Sequence, residues 1–500
     1  MASCPLRVEE LAEILAFDFK SDAIPKFRKD WRLKNLVEAV LSACSTLLSV
    51  VNFEGPIKSF RVVQFAHFTV KEFLTSRCFA EKYDSMSCRY HISMSSAHTF
   101  VAQACLGMLL HLDKDITSQS LTQFPLAEYA AHHWFEHARF EGVLQHEVEG
   151  MTQPFDRTKP DLSIWLWIYD PTNYWRRLGP ERAERPPPPC RTPLHYAAFC
   201  GLHDLAKILA IEYPQDVNSE SLPSGSSPLY LAARGGHVDL ARMLIEHGAD
   251  VSAQTKDEWT ALHEASENGH VNVARTLVEC GADMSAQTEN GRTALHWASQ
   301  YGHVNLALML VEYGANVSAQ AEDGLTALHL ASHNGQGYLV WMLLVRGAEV
   351  SAQTENGWTA LHMASWWGHV DIVWGLIEYG ADVSAQMKDG WTALHLASCY
   401  GHVDVAWVLV VHGADVSTQT EDGLTALHLA SLYGRVDLAR MLIEHDADVS
   451  AQSKDGSTAL HLASKYGYTE LAWLLARRST DEVPQATPQI PTTGVGVHAK

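Results

Sequence analysis

One feature of this 500-residue chain constrains its fold more than any other: a strict period. Thr-Ala-Leu-His recurs at 260–263, 293–296, 326–329, 359–362, 392–395, 425–428 and 458–461, each step being 33 residues. Two divergent copies precede these, Thr-Pro-Leu-His at 192–195 and Ser-Pro-Leu-Tyr at 227–230, separated by 35 residues, which brings the number of repeats to nine. A period of this size marks a supersecondary unit that stacks on its own copies. The three or so domains that length alone would suggest are therefore replaced by an array.

One repeat can be read from Trp259 to Glu289. Thr260 is suited to cap a helix, its hydroxyl accepting from a free backbone N–H. The two early repeats add Pro193 and Pro228 at the first helical position, where no N–H is needed. A short first helix presents Leu262 and Ala265 on one face and stops at Gly269, which tolerates a left-handed backbone. In the second helix Val271, Ala274, Leu277 and Val278 fall at helical spacing, and Gly281 closes it. A polar link from Ala282 to Arg292 follows, with Asn290-Gly291 as a hairpin turn. Such a unit cannot bury its apolar face by itself, so the repeats must stack. With helices about 8–10 Å apart, the expected product is an elongated, curved rod.

The motif Gly-x-Thr-Ala-Leu-His-x-Ala-Ser-x-x-Gly-His, followed by Val-Asp-Leu-Ala-Arg-Met-Leu-Ile-Glu-His-Gly-Ala-Asp-Val-Ser, closely resembles ankyrin repeats over residues 190–478. The resemblance implies a mainly α ankyrin-repeat solenoid of helix, turn, helix and short hairpin. It also implies that the repeated histidines (263, 296, 329, 362, 395, 428, 461) hydrogen-bond backbone between repeats. A metal ladder is disfavoured independently, since one ligand per repeat, about 10 Å from the next, cannot converge on an ion. Two departures stand out. Ser252, Ser351 and Ser384 replace the family's usual asparagine, which removes the acceptor for asparagine hydroxylation. Gly337 stands where other repeats place valine in the second helix, an expected cost of about 1 kcal/mol plus a packed side chain, so the 325–350 repeat is expected to be the weak point.

Before the array the period disappears. Helical segments are expected at Val8–Ala16, Leu36–Thr46, Ser96–Leu112 and Leu126–Phe140. Two short strands are expected at Leu47–Phe53 and Ser59–Phe65 around Glu54-Gly55-Pro56, then a helix over Thr69–Ser76. This order suggests a winged-helix-like domain over 1–90 and a helical region over 91–178. A stiff proline-rich linker is read at 179–189, and a Thr/Pro/Gln-rich tail from Ser479 to Lys500 is expected to be disordered. The words at 5–13, 62–76 and 124–130 resemble the segment that follows the nucleotide-binding module in fungal NACHT–ankyrin (NLR-like) proteins. That resemblance implies association with a related NACHT-containing chain. A P-loop would need Gly-Lys, and no Gly-Lys dipeptide occurs in this chain.

The array is also where composition matters. Residues 224–478 carry 29 acidic and 13 basic side chains, and the chain as a whole has a net charge of −21. Phosphate contacts require a basic surface, so nucleic acid is disfavoured as a partner. The longest apolar stretch, Leu36 to Val51, is short of a membrane span and contains Glu38. The first residues show neither a secretory h-region nor an arginine-rich presequence, so the chain is expected in the cytosol or nucleus. Nine scattered cysteines without Cys-x-x-Cys argue against a disulfide framework or zinc site. Cys44, Cys105 and Cys280 are read as buried apolar residues. His133 and His137, four residues apart, lack a third ligand at a known spacing, and packing or surface placement is the preferred reading. No cofactor or metal is expected, and no nucleophile–base pairing is readable, so the chain is read as a non-enzyme.

What varies between repeats is the functional signal. Hairpin-tip positions read Trp259, Arg292, Leu325, Trp358, Trp391 and Leu424, and positions after Ala-Ser read Tyr301, Trp366, Trp367, Tyr400, Tyr433 and Tyr466. In the ankyrin family such positions line the concave face. Trp, Tyr and Arg dominate binding hot spots because rigid aromatic area binds with little entropy loss. The candidate site is therefore a protein-recognition face, with packing against neighbouring hairpins as the alternative. A second stripe places Trp341, Trp374, Trp407 and Trp473 where other repeats have Arg242, Arg275 and Arg440. It is expected to stack as a ladder, with a second contact surface as the other reading. The expected function is a scaffold that recognises a protein partner, and the alternative, which the N-terminal resemblance implies, is a truncated or regulatory relative of an NLR-like signalling ATPase that assembles with a P-loop-bearing chain.

Overall fold

The computed structural model of the chain describes residues 14, 17–18, 26–27, 48–54, 59–65, 94–113, 115–139, 155–156, 161–171 and 191–481. The chain forms two compact units, Met1–Asp283 and Met284–Lys500.

In the first unit, strands Leu48–Glu54 and Ser59–Phe65 pair antiparallel, with Glu54 opposite Ser59 and Leu48 opposite Phe65. The expected hairpin is present, its first strand displaced by one residue. A shorter pair, Phe17–Asp18 with Lys26–Phe27, was not foreseen. The segments expected as helices at 8–16, 36–46 and 69–76, the linker at 179–189 and residues 482–500 lie outside the described residues, apart from helical Ile14.

Helices Met94–His111 and Pro125–Ala138 pack on each other. A further helix, Asp161–Ile168, completes a small aromatic core. Trp134 and Trp165 are both buried and meet edge to face at 5.3 Å between ring centroids. The Trp165 indole N–H donates to the Ala131 carbonyl at 2.8 Å, so its polar edge is satisfied inside the core. The Trp165 ring also lies edge-on to Tyr196 of the first repeat, at 6.1 Å.

From Pro193 onward the described residues form nine helix pairs, three in the first unit and six in the second. In the second unit the first helices are Ala294–Gln300, Ala327–His333, Ala360–Trp367, Ala393–Tyr400, Ala426–Leu432 and Ala459–Lys465. Each is followed by a second helix, Val304–Glu312, Gly337–Val345, Val370–Glu378, Val403–Val411, Val436–Glu444 and Thr469–Asp481. First helices pack on first helices and second on second. Seven-residue helices are too short to persist alone. They are held because leucines such as Leu295, Leu328, Leu361, Leu394 and Leu427 are buried between repeats, at about 1.5–3 kcal/mol each.

The capping threonine works as its position predicts. In Thr392 the hydroxyl accepts from the His395 amide at 3.4 Å, while the Thr392 amide and hydroxyl both meet His395 Nδ1, at 3.1 and 2.8 Å. Asn/Asp-Gly turns then carry the chain to the next repeat. The amides of Glu322, Glu355, Lys388, Glu421 and Lys454 donate to the carbonyls of Asn290, Asp323, Asn356, Asp389 and Asp422, at 2.9–3.2 Å. Gly324 shows why glycine is needed here: its φ is +78°, and a Cβ would lie 2.8 Å from Thr354 Cα.

Three sequence expectations change. Cys280 is exposed, whereas Cys105 is buried as expected, and Cys44 lies outside the described residues. Gly337 is the first residue of its helix rather than an interior one, and the valines at its equivalent, such as Val271 and Val370, are only half-buried. The penalty expected there therefore shrinks, because a first-turn glycine interrupts no formed turn. The last helix continues to Asp481, past Ser479 where a structureless tail was expected to begin.

Candidate partner-binding surface

The face formed by hairpin tips and first-helix ends divides into two classes of residue. The helix-end residues Tyr301, Trp367, Tyr400, Tyr433 and Tyr466 are 45–52% exposed. The tip residues Trp259, Arg292, Leu325, Trp358, Trp391 and Leu424 are half-buried, as is Trp366. Sterics explain the difference. Each tip residue directly precedes the capping threonine, and the three tryptophans among them fall onto the capping histidine; Trp259 lies 6.1 Å from His263, Trp358 6.3 Å from His362 and Trp391 6.1 Å from His395. The helix-end residues lie at the last turn and keep about half their surface open, even where a neighbour meets them, as Trp297 meets Tyr301 at 6.3 Å.

The structure brings four of the candidate residues together. Trp358 and Trp366 approach to 4.8 Å at 34°, Trp366 stacks on Trp367 at 6.1 Å, and Trp366 reaches Tyr400 of the next repeat at 5.9 Å. His333, which the sequence reading did not single out, joins the cluster. The Trp367 indole N–H donates to His333 Nδ1 at 3.0 Å, with the rings edge to face at 5.1 Å. Trp297 was also missed: the Arg292 guanidinium sits 5.3 Å from its ring while reaching Asp323 at 3.9 Å. The signal for both was their place on the first helix, on the same face as the exposed aromatics.

Four of the repeated histidines, His296, His329, His395 and His428, are bonded on both nitrogens. Nδ1 accepts at the cap, so Nε2 carries the proton and donates to the next repeat: His296 to Leu325 O at 3.0 Å, His329 to Trp358 O at 3.1 Å and His428 to Ser457 O at 3.1 Å. His395 donates to both Thr418 O and Leu424 O at 3.1 Å. Burial disfavours the imidazolium and holds His296, His362 and His395 down to about 4, with the carbonyl bonds partly opposing it. The tip residue's own backbone is thus the acceptor that fixes its hairpin.

Elsewhere, His137 is buried, contacting His98 Nδ1 at 2.8 Å and the Tyr129 hydroxyl at 2.9 Å. His133 turns away to Glu136 at 3.1 Å. His137 is thus packed and His133 lies toward the surface, and no group of three metal-ligating side chains occurs among the described residues. No helix among them is long and apolar enough to cross a membrane.

The ladder expected on the second helices does not form. Trp341, Trp374, Trp407 and Trp473 are 40–63% exposed, and three of them have different neighbours: Tyr338 at 6.1 Å for Trp341, His412 at 4.8 Å for Trp374, and Arg477 at 5.6 Å for Trp473. The equivalent positions are too far apart, about 8–10 Å between helix axes, for indoles that stand out from the helix to stack.

Comparison with known proteins gives the family. The family model "Ankyrin repeats (3 copies)" matches residues 194–288, 253–321, 280–354, 328–420 and 411–485. The chain is 28% identical over 258 residues to "Azaphilone pigments biosynthesis cluster protein L" of Monascus ruber, covering 49% of this chain and 53% of that protein. It is 38% identical over 96 residues to "Ankyrin repeat domain-containing protein 13B" of Homo sapiens, covering 19% and 14%. A third relative is "Ankyrin repeat and SAM domain-containing protein 6" of Mus musculus, 36% identical over 108 residues, covering 21% and 11%. The chain thus spans about half the length of the first relative and a small part of the others. Ankyrin repeats form protein–protein interaction modules. With the helix pairs, capped turns and inter-repeat histidine bonds in place, the chain belongs to the ankyrin-repeat family.

Proposed function

We propose that this chain is a non-enzymatic scaffold that recognises a protein partner through the concave, hairpin and first-helix face of its ankyrin array. The observation that carries this reading is the cluster of Trp358, Trp366, Trp367 and Tyr400, which spans adjacent repeats and leaves Trp367 and Tyr400 half exposed. Half-buried indoles held by neighbours lose little entropy on binding, as hot-spot residues must. Arg292, Tyr301, Tyr433 and Tyr466 extend the face, with Leu325, Trp391 and Leu424 setting its contour and Trp259 the counterpart in the first unit. Residues 1–178, divided near 90, would tether the array to a larger assembly in the cytosol or nucleus. A second reading rests on the N-terminal words: these residues pair with a P-loop-bearing, NACHT-containing chain and act in signalling.

The test is capture from native lysate with the full chain and with its Trp366→Ala/Trp367→Ala/Tyr400→Ala variant, followed by cross-linking mass spectrometry. A partner that cross-links to the 358–400 face and is lost by a variant of unchanged helicity supports the proposal. Identical partners on both baits refute it. Recovery of a P-loop protein cross-linked within residues 1–178 selects the second reading.

A further inference from the structure

The opposite surface of the second unit carries a feature that recognition through the hairpins leaves unused. Trp341, Trp374 and Trp407 occupy the same position of three successive second helices, and they are 53%, 40% and 47% exposed. Their helices are adjacent and packed on one another, which sets the indoles in a row with a rise of about 8–10 Å per repeat. Nothing in the fold requires an aromatic there, because Arg440 serves at the same position one repeat later. A row of exposed tryptophans on a stable helical face is the pattern of an interaction site rather than of a core.

Its electrostatic setting states the chemistry of the partner. Asp371 lies one turn before Trp374 and Glu378 one turn after it, and Asp404 lies one turn before Trp407; all three carboxylates are exposed. Over residues 325–423 there are ten acidic side chains and two basic ones. One of the two, Arg346, is already drawn toward Glu312 at 3.9 Å. An indole face beside a carboxylate is suited to a cation, most of all to a guanidinium, which is planar and weakly hydrated.

The chain itself supplies the worked case. In the last repeat Glu470 lies one turn before Trp473, the same relation as Asp371 to Trp374. There the Arg477 guanidinium sits 5.6 Å from the indole ring, and Arg440 reaches Glu470 at 4.0 Å. Two of the chain's own guanidinium groups fill the acid–indole pair at that end. At Trp374 and Trp407 the residue one turn later is Glu378 or Val411, so no guanidinium stands where Arg477 does; the His412 ring meets Trp374 edge to face at 4.8 Å.

We propose that the row Trp341, Trp374 and Trp407, with Asp371, Glu378 and Asp404, is a docking surface for an arginine-bearing basic segment of a protein partner. A segment in the polyproline II conformation has three residues per turn and advances about 3.1 Å per residue, so arginines at every third position share one face at about the spacing of the row. This surface is independent of the hairpin face.

The experiment is fluorescence anisotropy of the full chain with a labelled peptide of about fifteen residues carrying arginine at every third position, beside its citrulline counterpart. The decisive variant is Trp341→Arg/Trp374→Arg/Trp407→Arg. It reproduces the arginine the chain already bears at 440, and so keeps a residue the fold accepts. A second variant, Asp371→Asn/Asp404→Asn, leaves every indole in place. The expected result is binding by wild type, about tenfold or more weaker for the citrulline peptide and for the tryptophan variant, and several-fold weaker for the asparagine variant. The Trp366→Ala/Trp367→Ala/Tyr400→Ala chain should bind the peptide as wild type does. No binding by wild type overturns the proposal, as does equal binding by the tryptophan variant, which would mean non-specific attraction to an acidic protein.

Discussion

The indole N–H of Trp367 donates to Nδ1 of His333 across a repeat boundary, at 3.0 Å. That bond needs an unprotonated Nδ1, and two influences keep it so: partial burial of His333, and then the nearby His369, both lowering its pKa. The pair locks one edge of the aromatic cluster, so its geometry is tied to the protonation of one imidazole.

The folded pKa of His333 is lowered, so the bond is fully present above about pH 6.5 and is lost as pH falls below the folded value. The Trp367 indole resonance, assigned by its disappearance in Trp367→Phe, should shift with a midpoint below 6.5. It should stay fixed in His333→Leu. An indole signal that titrates with a midpoint above 6.5, or that still titrates in His333→Leu, would sink this coupling.

The capping histidines set a steeper pH dependence for the array. Free imidazole titrates near 6.5, while His296, His362 and His395 stay neutral to about 4 in the fold. Between those values the unfolded chain binds more protons, so stability is complete above about 6.5 and declines as pH falls. Each site removes on the order of 3 kcal/mol by the time both states are protonated. Urea midpoints should therefore drop steadily from pH 7 to pH 4.5, and His395→Leu should be destabilised by about 2–4 kcal/mol at pH 7 with a shallower pH slope. A flat profile in the wild type would contradict the assignment.

Asp446 holds a left-handed backbone, φ +64°, where Gly248, Gly314, Gly347, Gly380 and Gly413 stand in other repeats. A side chain in that region costs about 1–2 kcal/mol, less the entropy that glycine loses on folding. Asp446→Gly should raise stability by about 0.5–1 kcal/mol in denaturant titration. A loss of stability would show that the carboxylate has a compensating role.

Gly337 begins its helix, and an added Cβ would approach the end of the exposed Asp371 side chain at 2.8 Å. That flexible carboxylate can move aside. Gly337→Ala should therefore change stability by less than about 0.5 kcal/mol, well under the interior-helix penalty. A gain of 1 kcal/mol or more in the thermal or denaturant midpoint would restore the view of this repeat as a weak point.

Much of the array is written locally. The 33-residue spacing, the capping threonines, the Asn/Asp-Gly turns and the helical rows of leucine and alanine each specify a backbone conformation through nearest neighbours. That is why helices such as Val271–Glu279 fall where periodicity places them. Before the array, the long helical segments read at 96–112 and 126–140 match Met94–His111 and Pro125–Ala138 to within two residues.

What periodicity could not decide was the exposure and pairing of particular side chains. Asp161–Ile168 ends in five consecutive apolar residues, which periodicity assigns to neither helix nor strand; it becomes a helix whose Trp165 is buried against Trp134 and bonded to Ala131 O. Tip and helix-end aromatics look equivalent in sequence, yet Trp358 leans on His362 while Trp367 stays half exposed. Cys280 sits in an apolar run and still faces outward. The second-helix tryptophans stand apart rather than stacked because the distance between neighbouring helices, a property of packed backbones, exceeds the reach of their rings. Local sequence thus determined the repeat, its caps and its turns, since those depend on a few adjacent dihedral angles. Which aromatics meet, and which remain open to a partner, was decided by tertiary packing, since it depends on what the neighbouring repeat places against each side chain.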